Sequence, residues 1–445
     1  MKIEALINRV LAVIVLSAIL LAGSKILGIN PVAVIFIIII SLYLIFNYKN
    51  SENFTKKILN IILILLIFLF IADTVIKNKL PFYLIPFSTV SMLITILFLE
   101  LHLSLLVSIT LSILLVLDAG NDPYLGIMML NSSIVSSLLV LGIRRRSKII
   151  KAGFICGLIQ VATFFFIDNF IVRSFIPYIF FFLNGFICGI IVAGILPIFE
   201  YLSGVITNIS LLELADFNNP LLKRLMLEAP GTYHHSLIVG NLAEAAAEVV
   251  GANSLLARIG AYYHDIGKIK NAEYFSENQL SLTQKHEKIP PSISKLIIIN
   301  HVKEGLDLAK KYKLNPRIID FILQHHGTSL VYYFYLKALE NIEPDVVTST
   351  EEEYRYPGPK PNSKETAIVL LADSAEAASR SLKEVSASKI EELVHRVINN
   401  KFIDGQLDHC ELTLRDLDEI AKVFTRILIS IYHARITYPD KKESS

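Results

Sequence analysis

The sequence has 445 residues, of which 53% are hydrophobic and only 18% are charged, and its mean hydropathy is +0.55. This composition is too apolar for an ordinary soluble protein of that length, so it predicts a membrane protein. The 42 basic and 40 acidic side chains nearly cancel, which gives no reason to expect binding to a nucleic-acid polymer. The three cysteines show neither a CxxC spacing nor a disulfide framework, and we interpret them as buried thiols.

Charged residues are distributed unevenly along the chain. Residues 1–199 are long apolar stretches separated by short polar loops, whereas residues 200–445 contain most of the Lys, Glu, Asp and His. We therefore predict a polytopic transmembrane domain over residues 1–199, a membrane-proximal linker over 200–220 and a cytoplasmic domain over 221–440. Both domains are expected to be all-α, because from Leu211 onward apolar residues recur at helical spacing with almost no alternation of period two.

Eight stretches in the N-terminal part are long and apolar enough to cross a bilayer, since a spanning helix needs about 20 mostly apolar residues. They lie near residues 8–28, 31–48, 58–76, 82–99, 101–118, 124–143, 150–170 and 173–199. We interpret the first as a retained helix rather than a signal peptide, because another apolar stretch follows almost at once and no clear A-x-A cleavage site precedes it.

One loop sets the predicted orientation. The strongest basic cluster follows the sixth stretch and comprises Arg144, Arg145, Arg146, Lys148 and Lys151. The positive-inside rule assigns this loop to the cytoplasm, and the two remaining crossings return the chain to the cytoplasm at Glu200. Lys77 and Lys79 fall in a loop that this count places outside, so seven crossings stay open as an alternative to eight.

Few polar side chains interrupt the apolar stretches. Asp73 and the cluster of Asn131, Ser132 and Ser133 could line a transport path. Asp73 lies near the end of its stretch, however, and small polar residues commonly pack one membrane helix against another. We therefore favour a packing role for these residues.

Capping and breaking residues divide the aqueous half into amphipathic helices. We predict helices at residues 233–250, 255–266, 292–312, 316–325, 332–341, 364–382, 387–399 and 413–433. Thr232 is expected to cap the first of them, and Gly251 is expected to end it. The pattern is typical of a helical bundle.

Histidines cluster between residues 234 and 326 of this half. His234-His235 opens one predicted helix, His264-Asp265 ends the next, His301 lies on a later helix and His325-His326 closes another. One such histidine alone is more often a packed or exposed residue than a ligand. Imidazoles and carboxylates from successive helices, brought together inside one bundle, form a site suited to divalent metal ions. The set therefore predicts a metal centre.

These residues lie in recognisable motifs. They are EAPGTYHHS at 228–236, HDIGK at 264–268, QHHGTSL at 324–330, EEEYRYPGPKP at 351–361 and LADSAEAASR at 371–380. With them the sequence resembles the HD hydrolases, and specifically the seven-transmembrane-receptor HD family of PgpH-type cyclic-di-AMP phosphodiesterases. The family usually carries a large extracellular domain between its first two membrane helices, whereas only residues 28–31 stand there in this sequence.

The resemblance implies a binuclear metal site with Fe or Mn as the preferred divalent ions. One ion would be held by His235, His264, Asp265 and Asp373, and the other by Asp265, His301, His325 and His326, so that Asp265 bridges. Asp265 and His264 would be the catalytic pair, and Lys268 and Arg380 would bind substrate. Asp373 interrupts an apolar helical run, which is costly for a carboxylate without a cationic partner.

The implied activity is hydrolysis of cyclic di-AMP to pApA at the cytoplasmic face of the plasma membrane, in a bacterial second-messenger regulator. Three alternatives stay open: cyclic di-GMP hydrolysis of the HD-GYP kind, although no GYP tripeptide occurs; hydrolysis of ppGpp or a nucleoside triphosphate; and nucleotide sensing without turnover. Because every expected ligand position is filled, we favour the enzyme. The expected partners are the cyclic dinucleotide and the lipid bilayer, and a homo-oligomer is compatible with the sequence.

Base selection must come from the surroundings of the metals. Tyr262, Tyr263, Tyr274 and the segment 354–360 are candidates for contact with a purine, with bundle packing as their alternative role. Stacking on an aromatic ring tolerates every base. The preference for adenine is therefore implied by the resemblance alone.

Overall fold

The computed structural model describes residues 43, 54–172, 174–279, 286, 289–340, 351–382 and 385–433. Within these residues every regular element is a helix, apart from one isolated bridge between Leu330 and Arg355, which confirms the predicted all-α class. The chain divides into two compact units, Met1–Ser210 and Leu211–Ser445. The predicted spans at 8–28 and 31–48 lie outside the described residues, except for Tyr43.

The described part of the first unit contains six α-helices, numbered here from the first one described. They are α1 (Phe54–Lys77), α2 (Thr89–Phe98), α3 (Leu101–Asp118), α4 (Pro123–Val140), α5 (Arg146–Ile167) and α6 (Ile176–Ser203). All except α2 are long and apolar enough to cross a membrane. Five of the predicted spans are thus confirmed as helices of spanning length.

The predicted span at 82–99 was wrong as a continuous helix. Phe82–Leu84 forms a 3-10 turn, Ile85 is extended, and only the ten residues of α2 are α-helical. Pro86 explains the break, because proline donates no hydrogen bond into a helix and disfavours helical conformation in the residue before it. At 1.5 Å per residue α2 is about 15 Å long, which is about half of the hydrocarbon thickness.

Hydroxyl groups surround α2, whose residues 90–97 are all buried. Two pairs of serine hydroxyls join neighbouring helices: Ser91 with Ser136 at 2.6 Å, and Ser104 with Ser137 at 2.7 Å. Within the hydrocarbon core of a membrane no water is present to hydrogen-bond these hydroxyl groups, so they bond to one another.

Of the residues given a packing role, Ser132 accepts from Gln160 Nε2 at 2.9 Å and Ser133 donates to Phe87 O at 3.2 Å. Asn131 is exposed, and Asp73 forms an ion pair with Lys77 on its own helix.

Glycines bring α5 and α6 into backbone contact. Each helix carries two glycines four residues apart, Gly153 and Gly157 on α5 and Gly185 and Gly189 on α6. A Cβ atom at Gly185 would lie 2.2 Å from the backbone nitrogen of Gly157. Side chains larger than hydrogen are therefore excluded at this crossing, as in other close-packed membrane helix pairs.

The helix α7 (Asn208–Leu214) spans the sequence boundary between the units, and nine further α-helices follow in the described residues of the second unit. They are α8 (Pro220–Glu228), α9 (Pro230–Val249), α10 (Ser254–Tyr263), α11 (Pro291–Lys311), α12 (Pro316–Gln324), α13 (Tyr332–Glu340), α14 (Lys364–Arg380), α15 (Ala387–Ile403) and α16 (Leu414–His433). The predicted helices are all present, with ends shifted by a few residues. The prediction that Thr232 caps α9 was wrong, because Pro230 already occupies the first helical position.

The helix α14 lies at the centre of the second unit. Its residues 366–373 are all buried, and it packs against α9, α10, α12, α15 and α16. Small side chains such as Ala367, Ala372 and Ala375 let these neighbours approach it closely. Asp373 therefore lies deep inside the bundle, at the place where α9 and α10 also present polar residues.

Candidate metal centre

The His-Asp pair lies at a sharp change of backbone direction. The helix α10 ends at Tyr263, His264 keeps helical angles, and Asp265 leaves them before a run of 3-10 turns begins at Ile266. Both side chains of the pair are buried. In the same turn a Cβ at Gly267 would lie 1.8 Å from the carbonyl oxygen of His301. Only glycine allows the turn to touch α11, and this contact brings His301 beside Asp265.

Four of the histidine rings are oriented through Nδ1, which leaves Nε2 directed into one shared space. From Nδ1–H, His235 donates to Glu376 Oε2 and His264 donates to Ala261 O, both at 2.6 Å. His301 donates in the same way to Ile298 O at 2.5 Å, and His325 donates to Phe321 O and Ile322 O at 3.1 and 3.0 Å. A histidine that binds a metal through one ring nitrogen usually donates its other ring N–H to a carboxylate or a backbone carbonyl in this way.

The first group of converging atoms comes from His235, His264, Asp265 and Asp373, whose ligand atoms all lie within 4.8 Å of one another. His235 Nε2 is 3.0 Å from Asp373 Oδ1, and His264 Nε2 is 3.2 Å from Asp265 Oδ2. All four residues are buried. Two imidazole nitrogens and two carboxylates thus surround one point.

The second group comes from Asp265, His301, His325 and His326, within the same limit of 4.8 Å. Asp265 Oδ1 is 3.3 Å from His301 Nε2 and 3.5 Å from His325 Nε2. The two carboxylate oxygens of Asp265 therefore face different groups, Oδ2 the first and Oδ1 the second. The geometry brings together all seven predicted ligands, whereas His234 belongs to neither group.

The donor atoms fit a pair of cations. His301 Nε2 and His325 Nε2 approach to 3.1 Å, although both rings donate through Nδ1 and so direct lone pairs at each other. His264 Nε2 and both carboxylate oxygens of Asp265 are buried and make no aligned hydrogen bond within the described residues. Asp265 Oδ2 has the Lys268 ammonium at 2.7 Å as an ion-pair partner. For His264 Nε2 and Asp265 Oδ1, burial without an aligned hydrogen bond is costly. Imidazole nitrogen with carboxylate oxygen is a donor set suited to divalent transition metals.

The charge states suit the same role. Burial raises the pKa of Asp265, but His264 and Lys268 outweigh it and hold the pKa well below its usual range. Burial lowers the pKa of His301 to about 3, so this ring is neutral. Burial also lowers the pKa of His264, yet Asp265 and Asp373 outweigh it and raise the pKa to about 10. A metal ion at His264 would take the place of that proton.

A cavity of about 630 Å³ opens over the two groups, which is a usual size for a small-molecule site. His301, His326 and Asp373 form part of its floor, and Phe275 and Tyr356 contribute aromatic walls. Tyr356 stacks on His326, with ring centroids 4.2 Å apart and 27° between the planes. The cavity can therefore present a flat ring and a metal centre to one ligand.

Lys268 and Arg380, the predicted substrate-binding residues, both line this cavity but are engaged with carboxylates. Lys268 Nζ lies 2.7 Å from Asp265 Oδ2 and 2.9 Å from Glu277 Oε1. Arg380 Nη2 lies 2.8 Å from Glu376 Oε2. Each cation is thus paired with a carboxylate of the site.

Sequence reasoning missed Glu376 and Glu277. Glu376 is buried and accepts the Nδ1–H of His235, which forms a carboxylate–histidine pair behind the first group. The signal was available, since positions 373 and 376 on one helix share a face. Glu277 follows the HD turn in a short 3-10 element, and nothing in its spacing marks it.

Replacing Glu376 by Gln is expected to weaken metal binding by roughly 10- to 100-fold, as losing a second partner of a ligating imidazole usually does. The amide carries no charge to support the Nδ1–H of His235. Equilibrium dialysis with metal analysis would measure the change, and Glu392→Gln is a matched control because Glu392 is exposed and pairs with Arg396. An unchanged affinity in Glu376→Gln would show that Glu376 does not act through His235.

The tyrosines divide between packing and the cavity. Tyr262 and Tyr263 are buried, and the Tyr263 hydroxyl donates to Leu214 O at 2.7 Å. Tyr354 is also buried, with the Lys295 ammonium over its ring. Only Tyr356 among the candidate tyrosines lines the cavity within the described residues. It is the candidate for contact with a base.

A helical bundle that gathers a His-Asp pair, four further histidines and an aspartate defines an HD-type hydrolase domain, here joined to a multi-pass membrane domain. A model of the family described as "7TM receptor with intracellular HD hydrolase" matches residues 3–207, and a model of the HD domain matches residues 232–378. Together they cover more than three quarters of the sequence. The chain belongs to the family of membrane proteins with an intracellular HD hydrolase domain.

Two bacterial relatives agree with this class. The chain is 38% identical over 429 residues to the cyclic-di-AMP phosphodiesterase PgpH of Listeria monocytogenes, covering 92% of this chain and 59% of the relative. It is 49% identical over 257 residues to PgpH of Bacillus subtilis, covering 58% of this chain and 36% of the relative. The chain thus spans less than two thirds of both relatives.

A solved structure is also similar. The crystal structure of the HD domain of the L. monocytogenes phosphodiesterase PgpH in complex with cyclic di-AMP is 47% identical. It covers 49% of this chain and 100% of the solved chain, with a TM-score of 0.47.

Proposed function

We propose that the protein hydrolyses cyclic di-AMP to pApA with two divalent metal ions bound at the candidate centre. The observation that carries the proposal is Asp265, whose two oxygens face two separate groups of ligands. A single bridging carboxylate is what a two-metal hydrolase needs to hold its ions close together. The names of the relatives, both cyclic-di-AMP phosphodiesterases, support the choice of substrate.

The residues have distinct parts in this reaction. When bound, two such ions supply an activated water and offset charge on a phosphodiester. His235, His264 and Asp373 would hold the first ion, His301, His325 and His326 the second, and Asp265 both. Lys268, together with His264, keeps Asp265 ionised and adds positive charge at the cavity wall, and Arg380 forms an ion pair with Glu376.

The aromatic side chains of the cavity can bind a nucleobase but select little between one base and another. Phe275 and Tyr356 stand on the cavity where a base could stack, and stacking is worth about 1–3 kcal/mol per base for any base. Discrimination between adenine and guanine needs polar groups matched to the base edge, because an unpaired buried group costs about 1–3 kcal/mol. The adenine preference proposed here is supported by the relatives.

The test is product analysis with the full-length protein in lipid nanodiscs after loading with Mn or Fe. Cyclic di-AMP, cyclic di-GMP and ppGpp are incubated separately and the products are separated by HPLC. We expect pApA from cyclic di-AMP as the fastest reaction. Equal or higher kcat/KM for cyclic di-GMP would contradict the substrate, and binding of cyclic di-AMP with no turnover by metal-loaded protein would favour the sensor alternative.

The metal content needs its own measurement. We propose Fe or Mn, which accept imidazole and carboxylate ligands, although affinity order alone does not select them. Anaerobic purification followed by elemental analysis should find close to two ions of one of these metals per chain. One ion per chain, or zinc in full occupancy with full activity, would contradict this assignment.

We further propose that the HD domain faces the cytoplasm, where a cyclic dinucleotide messenger is found. The support is the basic cluster at the start of α5, which includes Arg144, Arg145 and Arg146. Ser147→Cys and Ser174→Cys, in a Cys410→Ser background, place nearly isosteric thiols in the first turn of α5 and seven residues beyond its last residue, so they mark its opposite ends. A membrane-impermeant maleimide added to intact cells should label position 174 and not position 147. Labelling at position 147 and not at position 174 would contradict the proposed orientation.

A further inference from the structure

A ridge of exposed side chains runs along the outer face of α4. It consists of Tyr124, Ile127, Asn131, Ile134 and Leu138, spaced alternately three and four residues apart. The residues between them are buried or half-buried up to position 137. Alternate spacing by three and four is the heptad pattern with which one helix packs along another.

Asn131 stands out in this ridge. It is the ninth of the 18 residues of α4, so it lies near the middle of the span. In the central third of the five described spanning helices it is the only exposed residue with a polar side chain. Its one hydrogen bond among the described residues is from Nδ2 to Thr163 Oγ1, at a long 3.4 Å. An amide left facing lipid hydrocarbon is unfavourable.

A groove of about 650 Å³ lies beside the ridge, between α4 and α5. The side contributed by α5 is largely apolar and includes Ile159, Ala162 and Phe166. Side chains of a further helix can enter such a groove as knobs into holes. The ridge and the groove together form one surface, which we call the α4 face.

The α4 face is complementary to itself. A carboxamide carries both donors and an acceptor, so Asn131 can pair with a second Asn131. Copies of one protein in one membrane have the same orientation, so two α4 helices that meet are parallel, and a two-fold axis then brings identical positions together. A single Asn among Ile and Leu at heptad core positions is the pattern that sets register and two-fold association in parallel helix pairs.

We propose that the protein forms a parallel homodimer through the α4 face, with Asn131 of one copy hydrogen-bonded to Asn131 of the other. The second copy supplies the amide with the partner that lipid does not. Ile127 and Ile134, one on each side of Asn131, pack across the same axis. This association involves the membrane domain and does not depend on the reaction proposed for the metal centre.

Dimerisation can be measured with donor- and acceptor-labelled full-length protein in liposomes, by energy transfer at increasing protein density. Asn131→Leu should raise the dissociation constant by about tenfold, since an interhelical amide bond in a membrane is worth about 1–2 kcal/mol. Asn131→Gln, which keeps the amide, should restore most of the association. Ile109→Leu is the control, because Ile109 is the ninth residue of α3 and is also exposed.

Cross-linking tests the geometry with Asn131 in place. In a Cys410→Ser background, Ile134→Cys should form an intermolecular disulfide on mild oxidation, whereas Ile109→Cys should not, although the two side chains are similarly exposed (39% and 48%). The proposal is overturned if the protein stays monomeric at every density, if Asn131→Leu associates like the unchanged protein, or if positions 109 and 134 cross-link equally. A monomer that retains a lipid in the groove would likewise overturn it.

Discussion

Replacing Asp265 by Ala is expected to release both metal ions and to lower kcat/KM for cyclic di-AMP by about a thousandfold or more. Among the described residues, Asp265 is the member that the two ligand groups share, so its loss leaves each group one donor short and removes the charge that both ions would share. A loss of several kcal/mol of charge stabilisation corresponds to roughly three powers of ten in rate. Elemental analysis and steady-state kinetics on the full-length protein would measure both effects.

His235→Ala is the matched comparison for Asp265→Ala. His235 belongs to the first group only, so the variant should keep close to one ion per chain while Asp265→Ala keeps none. The circular dichroism spectrum should stay helical in both variants, which separates metal loss from unfolding. Two ions retained after Asp265→Ala would contradict the bridging role, and equal metal loss in both variants would show that the two groups do not bind independently.

Gly267→Ala should cause the largest loss of folding stability among single methyl additions in the HD turn. The new Cβ would meet the carbonyl oxygen of His301 at 1.8 Å and the backbone nitrogen of Gly305 at 2.5 Å. Both obstacles are backbone atoms, so α11 must move away. We expect a loss of about 3 kcal/mol or more, among the larger effects of single substitutions, and a fall in melting temperature of roughly 10 °C.

Thermal unfolding followed by circular dichroism would measure this loss, with Gly251→Ala as the control. Gly251 has φ +68° but no atom within 4 Å of the added Cβ, so its substitution costs only about 1–2 kcal/mol of left-handed strain. Gly267→Ala should therefore melt well below Gly251→Ala. Equal melting temperatures of the two variants would mean that the HD turn and α11 can move apart at little cost in stability.

Much of the fold could be read from periodicity. The five described spans are predicted by apolar runs of about 20 residues, because a helix that crosses lipid must be apolar along its length. The helices of the second unit are predicted by apolar residues at helical spacing, because each helix buries one apolar face in the bundle. The break before α2 was readable too, since Pro86 interrupts that stretch. The break was missed because mean hydropathy over a stretch changes little with one proline. The effect of proline is on the backbone, where it cannot donate the hydrogen bond that a continuous helix needs.

For the metal centre, residue types and motifs were enough to name seven candidate ligands, and the same seven converge in space. The atoms by which they act were not accessible. The partition of the two Asp265 oxygens between the ligand groups and the contact of His235 with Glu376 depend on distances between helices that are far apart in the sequence. Local sequence carries no information on those distances until the helices are packed.

The amino-acid sequence alone was enough to predict the class of this protein: an apolar helical domain, a helical aqueous domain and a set of histidines and aspartates with the pattern of a metal site. Tertiary structure decided orientation and exposure. Asn131 and Ser132 are adjacent polar residues on α4, yet Ser132 is buried and Asn131 faces outward. Composition and spacing report which groups are present, whereas the 100° turn between adjacent helical residues and the position of neighbouring helices decide which group meets a partner.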